Sequence, residues 1–130
     1  MPSRSVPPQG FTKAQRVRRR GEFQQVFNRG TRVHGRYLTL LMAPNTAGRA
    51  RLGIVASKKL GGAVQRNRAK RLIRNIFRQS IPLPGRQGVD VVVIPRRELF
   101  DAAYSNIETD FRSAVRRCAA RLPEGDRVQR

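Results

Sequence analysis

The first 78 residues of this chain contain almost no negative charge. Glu22 is the only acidic residue among them, whereas they hold 19 of the 28 Lys and Arg residues. The whole chain has eight acidic residues in 130 and a formal net charge of +20. A two-metal nuclease needs clustered carboxylates, and general acid–base catalysis needs two titratable groups within reach, so this basic surface can assemble neither site. A positive electrostatic field with so little negative charge to oppose it favours a polyanion as the partner.

Cysteine, histidine and long apolar runs are also scarce. The single cysteine, Cys118, excludes an internal disulfide and a zinc site built from several cysteines. The single histidine, His34, has no partner ligands nearby in the sequence, so we expect it at a surface or groove position without a metal. No apolar run reaches the length of a membrane span, and no secretory signal opens the chain. We therefore expect a cytoplasmic protein with no membrane partner.

Hydrophobic spacing and turn residues predict α+β architecture with elements in the order α-β-β-β-α-β-α. The predicted helices cover residues 21–29, 63–79 and 105–122, and the predicted strands cover 31–34, 36–43, 51–57 and 89–94. Ser105 and Glu108 have the spacing of a capping box at the start of the last helix. The core face of that helix is predicted to be formed by Ile107, Phe111, Ala114, Val115, Cys118 and Leu122.

The ends of the chain differ in composition from its middle. Three prolines lie within residues 1–12, and Pro123 and Gly125 follow the last predicted helix. We therefore expect a flexible tail at 1–12, one domain at 13–122 and a frayed terminus at 123–130.

The predicted helix at 63–79 carries the densest positive charge. Successive residues lie about 100° apart around a helix, which sorts this one into an apolar face and a cationic face. The apolar face contains Ala69, Leu72, Ile73, Ile76 and Phe77, and the cationic face contains Arg66, Asn67, Arg68, Lys70, Arg71, Arg74 and Arg78. A solvated helix face is the alternative to a binding surface, but solvated faces usually mix charges of both signs. The absence of acidic residues here favours contact with RNA or DNA.

Two further features favour a nucleic-acid partner. Lys58 and Lys59 precede Gly61 and Gly62 at the start of this helix, where backbone N–H groups and the helix dipole attract phosphate. Phe23, Phe27 and Tyr37 are candidates for stacking on single-stranded bases beside a cationic groove, with core packing as the alternative for each phenylalanine.

The basic segment resembles the signature of a known family. Arg66-Asn67-Arg68-x-Lys70-Arg71-x-x-Arg74, preceded by Ser57-Lys58-Lys59 and a glycine-containing turn, is similar to the central motif of the protein subunit of bacterial ribonuclease P. The stretch from Arg16 to Gly30, with Phe23 and Phe27 four residues apart, resembles the first helix of that family. The resemblance covers about residues 13–122.

The resemblance implies a fold and a role. The fold would be an α/β sandwich like the second domain of ribosomal protein S5, with a mixed four-stranded sheet and a left-handed β-α-β crossover. The chain would be part of an endoribonuclease holoenzyme that removes the 5′ leader of precursor tRNA. Its partners would be the catalytic RNA subunit and precursor tRNA, with no obligate protein partner. The RNA subunit would perform the hydrolysis with magnesium that it mainly holds itself, and the chain alone would not be catalytic.

The family's functional residues carry over onto matching positions. The RNA subunit and the cleavage-site region would be contacted by Lys58, Lys59, Arg66, Asn67, Arg68, Lys70, Arg71 and Arg74. A cleft for the single-stranded leader would be lined by Arg18, Phe23, Phe27 and Tyr37. The family often has another aromatic residue where this chain has Leu41, and that difference bears on the strength of base stacking.

Two other functions fit the charge and size of the chain. A ribosomal or ribosome-assembly protein would bind ribosomal RNA, and it would have no reason to distinguish precursor from mature tRNA. A DNA-compacting protein usually has a dimer interface or repeated tail motifs, and the sequence shows neither.

Overall fold

The computed structural model describes residues 16–17, 20–81, 83 and 88–122. Its helices are α1 (Arg20–Arg29), α2 (Ala63–Ser80) and α3 (Tyr104–Arg121), and its strands are β1 (Thr31–His34), β2 (Leu38–Pro44), β3 (Arg51–Ile54) and β4 (Val89–Pro95). Short 3-10 turns at Lys58–Leu60 and Arg97–Asp101 precede α2 and α3. The predicted element order and the α+β class are therefore confirmed. The predicted tails at 1–12 and 123–130 lie outside the described residues.

The four strands form one mixed sheet in the order β1-β2-β4-β3. β2 is antiparallel to both β1 and β4, whereas β3 runs parallel to β4. A parallel pair needs a crossover connection, and α2 supplies it.

The hand of this crossover follows from the stereochemistry of Leu52. Viewed from the α2 side with β3 running upward, Leu52 points its side chain toward the viewer, because it packs in the same cluster as α2. Its carbonyl accepts a hydrogen bond from the Val17 N–H, on the side away from β4. When an L-residue is viewed with its side chain toward the observer and its strand running upward, its N–H and C=O groups point to the right. Those of Leu52 point away from β4, so β4 lies to the left of β3. The crossover is therefore left-handed, against the usual rule.

Buried side chains form two clusters, one on each face of the sheet. The larger cluster lies between the sheet and helices α2 and α3. It includes the predicted core residues of both helices except Leu72, which is partly buried against it. The smaller cluster lies under α1 and consists of Val26, Leu41, Ala43 and Val92, with Phe23, Val55 and Ile94 partly buried against it. One short helix thus leaves part of this second face uncovered.

Several element boundaries differ from the prediction. β2 begins at Leu38 and not at residue 36, because the backbone N–H groups of Arg36 and Tyr37 donate to the Asp110 carboxylate at 3.0 and 2.9 Å. β3 ends at Ile54, three residues early. The predicted capping box is wrong. α3 begins at Tyr104 after Ala103, which makes no side-chain cap, and Glu108 pairs with Arg112 instead.

Helices in the part of the chain that the structure describes are too short or too polar to cross a membrane.

Candidate nucleic-acid interface

Helix α2 presents a strip of positive charge along the side that faces away from the core. Ala69, Ile73, Ile76 and Phe77 are buried, while the helix contains no acidic residue that could neutralise its cations. Asn67, Arg68 and Arg71 are exposed, and Arg66, Lys70 and Arg74 are half-buried along the edge of the strip. The structure therefore places the whole predicted Arg-Asn-Arg segment on one accessible helix surface.

The amino-terminal end of α2 is open to an anion. Gly62 precedes the helix without a side-chain cap, and no acidic residue lies in the first turn. Gly61 has φ 145°, in the region that favours glycine, and lets the chain turn from the 3-10 segment into α2. Lys58 and Lys59 are exposed in that segment. Uncapped N–H groups, the helix dipole and two lysines together favour a phosphate at this end.

Two arginines of α2 have a buried donor that makes no hydrogen bond. The Nε atoms of Arg66 and Arg78 are shielded from solvent and have no hydrogen-bond partner within the described ranges. An unsatisfied buried N–H costs about 1–3 kcal/mol. A phosphate oxygen could accept a hydrogen bond from the Arg66 Nε–H once that side chain turns outward from the predicted strip, and this bond would remove the cost.

A groove joins the α2 strip to helix α1 at the β3 edge of the sheet. Its volume is about 130 Å³. Phe23 from α1 lies on one side and Lys70 and Arg74 from α2 on the other; Arg16, Val17, Leu52, Gly53 and Ile54 complete the lining. The structure thus brings an aromatic ring predicted for the leader cleft together with two cations predicted to meet the RNA subunit. On the sequence alone, these residues are predicted to belong to two separate sites.

Arg16 is a groove residue that is not among the predicted site residues. It forms an isolated bridge to Leu52, which holds the strand-like entry to α1 against the β3 edge. The only signal in the sequence was its place in a run of basic residues. Burial lowers the pKa of the Arg74 guanidinium, and the nearby charge of Arg16 lowers it further. Both effects disfavour positive charge in the groove, and a bound phosphate would relieve them.

An ion-pair network fixes α1 beside this groove. The Arg51 guanidinium binds both carboxylate oxygens of Asp90, at 2.7 and 2.8 Å, and donates to Glu22 of α1 at 3.0 Å. The hydrogen bond to Asp90 is the main cause that raises the pKa of Arg51, although burial opposes it. The one acidic residue of the basic half is thus neutralised in holding α1 to the sheet.

The predicted aromatic residues occupy three different environments. Phe23 is half-buried against the α1-side cluster, and Phe27 remains 38% exposed on the same helix. Tyr37 packs against the larger cluster on the opposite face, with the Arg36 guanidinium 5.6 Å from its ring centre. The structure does not bring Tyr37 into the cluster that contains Phe23. Arg18 lies outside the described residues, and the roles of all four in binding remain predictions.

The acidic residues that the structure describes do not form a magnesium site. In the described segments no three His, Cys, Asp or Glu side chains lie close enough together to hold a metal ion. Asp90 is engaged by Arg51, and Asp110 accepts two backbone N–H groups. These residues therefore do not fit a resident magnesium ion.

Comparison of the sequence with known families gives a match to the family described as Ribonuclease P, over residues 11–119. The ribonuclease P protein component of Thermotoga petrophila is 40% identical over 94 residues, covering 70% of this chain and 77% of the relative. That of Chromohalobacter salexigens is 47% identical over 92 residues, covering 68% of this chain and 70% of the relative.

Solved structures agree with this match. The ribonuclease P protein from Thermotoga maritima superimposes with a TM-score of 0.71 at 34% identity, and the alignment covers 78% of this chain and 96% of that protein.

Proposed function

Since the chain belongs to the ribonuclease P protein family, we propose that it assists a catalytic RNA in removing the 5′ leader from precursor tRNA. The observation that carries this proposal is the groove in which Phe23 faces Lys70 and Arg74. An apolar ring beside two cations can take a base on one side and its phosphate on the other. We place the protein in the cytoplasm, where tRNA is processed in bacteria.

The two parts of the interface would bind different RNA segments. The exposed cations of α2, together with Lys58 and Lys59, face outward and are suited to the phosphates of a folded RNA subunit. The groove and the ring of Phe27 would take the single-stranded leader. Base stacking tolerates any sequence because every base has an aromatic face, which suits one enzyme acting on many precursors.

The physical contribution of the protein would be electrostatic. The leader and the catalytic RNA are both polyanions and repel each other. A chain of net charge +20 neutralises phosphates and releases their counterions, which tightens the complex and lowers the magnesium it needs. The magnesium ions that support hydrolysis would be held by the RNA, since the described carboxylates do not fit them.

Phe27→Ala tests the leader-binding part of the proposal. In a complex with a ribonuclease P RNA, this variant should bind precursor tRNA at least fivefold more weakly, because one stacked base contributes about 1–3 kcal/mol. Binding of mature tRNA should be unchanged. Ile81→Ala is the control, because Ile81 is also a large apolar side chain that is 38% exposed, but it lies just after the end of α2 and outside the groove. Equal losses for precursor and mature tRNA would assign Phe27 to packing and contradict the leader role.

A further inference from the structure

The outer edge of β1 has no partner strand among the residues that the structure describes. β1 is the end strand of the order β1-β2-β4-β3, so only the side that faces β2 is paired. The opposite end of the sheet is different, because the Arg16 bridge to Leu52 continues the pairing beyond β3. We call the unpaired backbone of β1 the β1 edge. It is a place where the described sheet can accept a further strand.

The hydrogen-bond register shows which groups the β1 edge presents. Just after β1, the Gly35 N–H donates inward to the Leu38 carbonyl at 2.8 Å. In an antiparallel pair, residues that bond to the partner strand alternate with residues that do not. Arg32 and His34 therefore point their N–H and C=O groups away from β2. The Arg121 guanidinium reaches the Arg32 carbonyl from outside the sheet at 3.4 Å, which agrees with this assignment. The β1 edge thus presents both donors and acceptors.

Arginines border the β1 edge on the α1 face of the sheet. Val33 packs into the larger cluster, so its neighbours Arg32 and His34 point to the α1 face. Both are exposed. The Arg96 guanidinium lies on the same face, 3.4 Å from His34 Nδ1. A strand added to the β1 edge would therefore meet positive charge on this side.

Helix α3 supplies positive charge on the other face. Its Asp110 accepts the backbone N–H of Arg36 at 3.0 Å, just beyond the end of β1. Its Arg121 reaches the Arg32 carbonyl, nearer the start of the strand. Arg117 lies about two turns after Asp110 and about one turn before Arg121, so it projects from the same side of the helix. Arg117 and Arg121 are exposed, so arginines border the β1 edge on both faces.

We propose that the β1 edge binds an extended acidic segment of a protein partner, which adds a strand to the sheet. Strand addition takes its affinity from main-chain hydrogen bonds and its specificity from the flanking side chains. Here the main-chain groups of Arg32 and His34 would form the ladder, and the arginines on both faces would select carboxylates. The inference is independent of leader binding, because it uses neither α2 nor the groove.

The chemistry of the β1 edge favours an acidic peptide over the other polyanions and over a second copy. Phosphate oxygens only accept hydrogen bonds, so an RNA backbone would leave the Arg32 and His34 carbonyls without donors. A second copy of this chain would bring the same arginines together, and repulsion between two chains of net charge +20 opposes that pairing. An acidic peptide supplies donors, acceptors and negative charge at once.

A labelled peptide of alternating glutamate and threonine is the probe for this inference. Its binding to the whole chain is measured by fluorescence anisotropy at about 0.15 M salt, where attraction between distant exposed charges is screened. Binding should slow hydrogen exchange at the Arg32 and His34 amides. The same peptide with methylated backbone nitrogens keeps its charge but cannot donate to the edge, and it should bind at least about tenfold more weakly.

Substitutions at His34 test the main-chain ladder. His34→Pro removes an outward N–H without breaking the pairing with β2, and proline is tolerated at such edge positions. It should weaken binding of the peptide about three- to tenfold, the effect of one hydrogen bond. His34→Ala keeps the N–H and is the control that should bind like wild type.

Substitutions on α3 test the flanking charge. Arg117→Ala should weaken binding of the peptide about two- to fivefold, the effect of one exposed ion pair. Arg116→Ala is the matched control, because it removes the same charge from the next residue, which is also exposed but lines a pocket with Gln79 of α2. This variant should bind the peptide like wild type.

Four results would overturn the inference. Equal binding of the methylated and unmethylated peptides, or equal losses in Arg117→Ala and Arg116→Ala, would reduce the effect to attraction by net charge. Slowed exchange confined to α2 would place the peptide on the RNA-binding strip. Slowed exchange at Arg32 and His34 on adding a ribonuclease P RNA would assign the edge to RNA. Slow exchange of these amides in the protein alone would show an occupied edge, by a second copy if it depends on concentration and by the chain's own ends if it does not.

Discussion

At the scale of single residues, Asp90 shows how a carboxylate is tolerated inside a strongly basic protein. It lies in the middle of the sheet with only 6% of its surface exposed, and it receives two hydrogen bonds from Arg51 and one from Asn45 at 2.7 Å. Burial of an ion is costly unless the partner and the remaining hydrogen bonds are present, and here they are. The network therefore depends on every member being in place.

Asp90→Asn should destabilise the protein substantially. The substitution keeps the shape of the side chain but leaves the partly buried Arg51 with Glu22 as its acidic partner. We expect a loss of about 2–4 kcal/mol in the free energy of unfolding, measured by urea denaturation. Arg112→Ala is the control, because it breaks an exposed pair with Glu108 and should cost less than about 0.5 kcal/mol. Equal losses in the two variants would show that the Asp90 network contributes no more than a surface pair.

Cys118 predicts a dependence of stability on alkaline pH. Burial raises the pKa of its thiol from 9.0 to about 11, although the charges of Arg121 and Arg117 oppose the shift. Between pH 9 and 11 the unfolded chain loses the thiol proton while the folded chain keeps it. Stability should therefore fall across this window, by up to about 2–3 kcal/mol.

The contribution of Cys118 can be isolated by difference. Cys118→Ala also loses packing, but that loss does not vary with pH. The stability difference between wild type and Cys118→Ala should shrink as the pH rises from below 9 to 11. A difference that stays constant would show that the folded and unfolded thiols titrate alike.

At the scale of elements, the position of α1 depends on the absence of a side chain at residue 53. A Cβ at Gly53 would lie 2.7 Å from the Phe23 ring and 3.0 Å from the Val17 side chain. Gly53→Ala should therefore push Phe23 and α1 away from β3, at a cost of about 1–3 kcal/mol in stability. It should also weaken precursor tRNA binding more than mature tRNA binding. Gly48→Ala is the control for backbone strain without a new contact. A Cβ at Gly48 would meet no atom within 4 Å, but the φ of 78° is unfavourable for alanine, so this variant should lose stability without a change in leader preference. A Gly53→Ala protein with unchanged leader preference would contradict the role of Phe23.

The sequence predicted helices and strands correctly in segments where one hydrophobic periodicity dominated. The core faces of α2 and α3 are confirmed, Cys118 is buried as expected, and His34 is exposed, because each follows from local spacing. The start of β2 was wrong because Asp110, 73 residues away from Tyr37, captures the backbone there. The start of α3 was wrong because its real boundary has no capping side chain. Local spacing carries no information about such distant contacts.

The candidate site was predictable in its parts but not in its assembly. The α2 strip follows from helical spacing alone. The meeting of Phe23 with Lys70 and Arg74 and the bridge made by Arg16 both depend on strand order and register. Residues from α1, β3 and α2 become neighbours only once the sheet forms, so no pattern along the chain predicts that they meet.

At the scale of the whole molecule, the net charge of +20 predicts strong salt dependence. The logarithm of the affinity for the RNA subunit should fall linearly with the logarithm of salt concentration, because each phosphate contact releases counterions. Arg68→Ala and Arg71→Ala should each lower the magnitude of the slope by about 1. Arg117→Ala removes the same charge from the exposed surface of α3 and should leave the slope nearly unchanged. Equal changes in all three variants would show that overall charge, and not the α2 strip, governs binding.

Cleavage of a precursor tRNA by a bacterial ribonuclease P RNA at low magnesium, with and without this protein, tests the central claim most directly. The proposed function predicts strong stimulation by the protein and no cleavage by the protein alone. Tight RNA binding without stimulation would contradict it and would favour a structural role on another RNA.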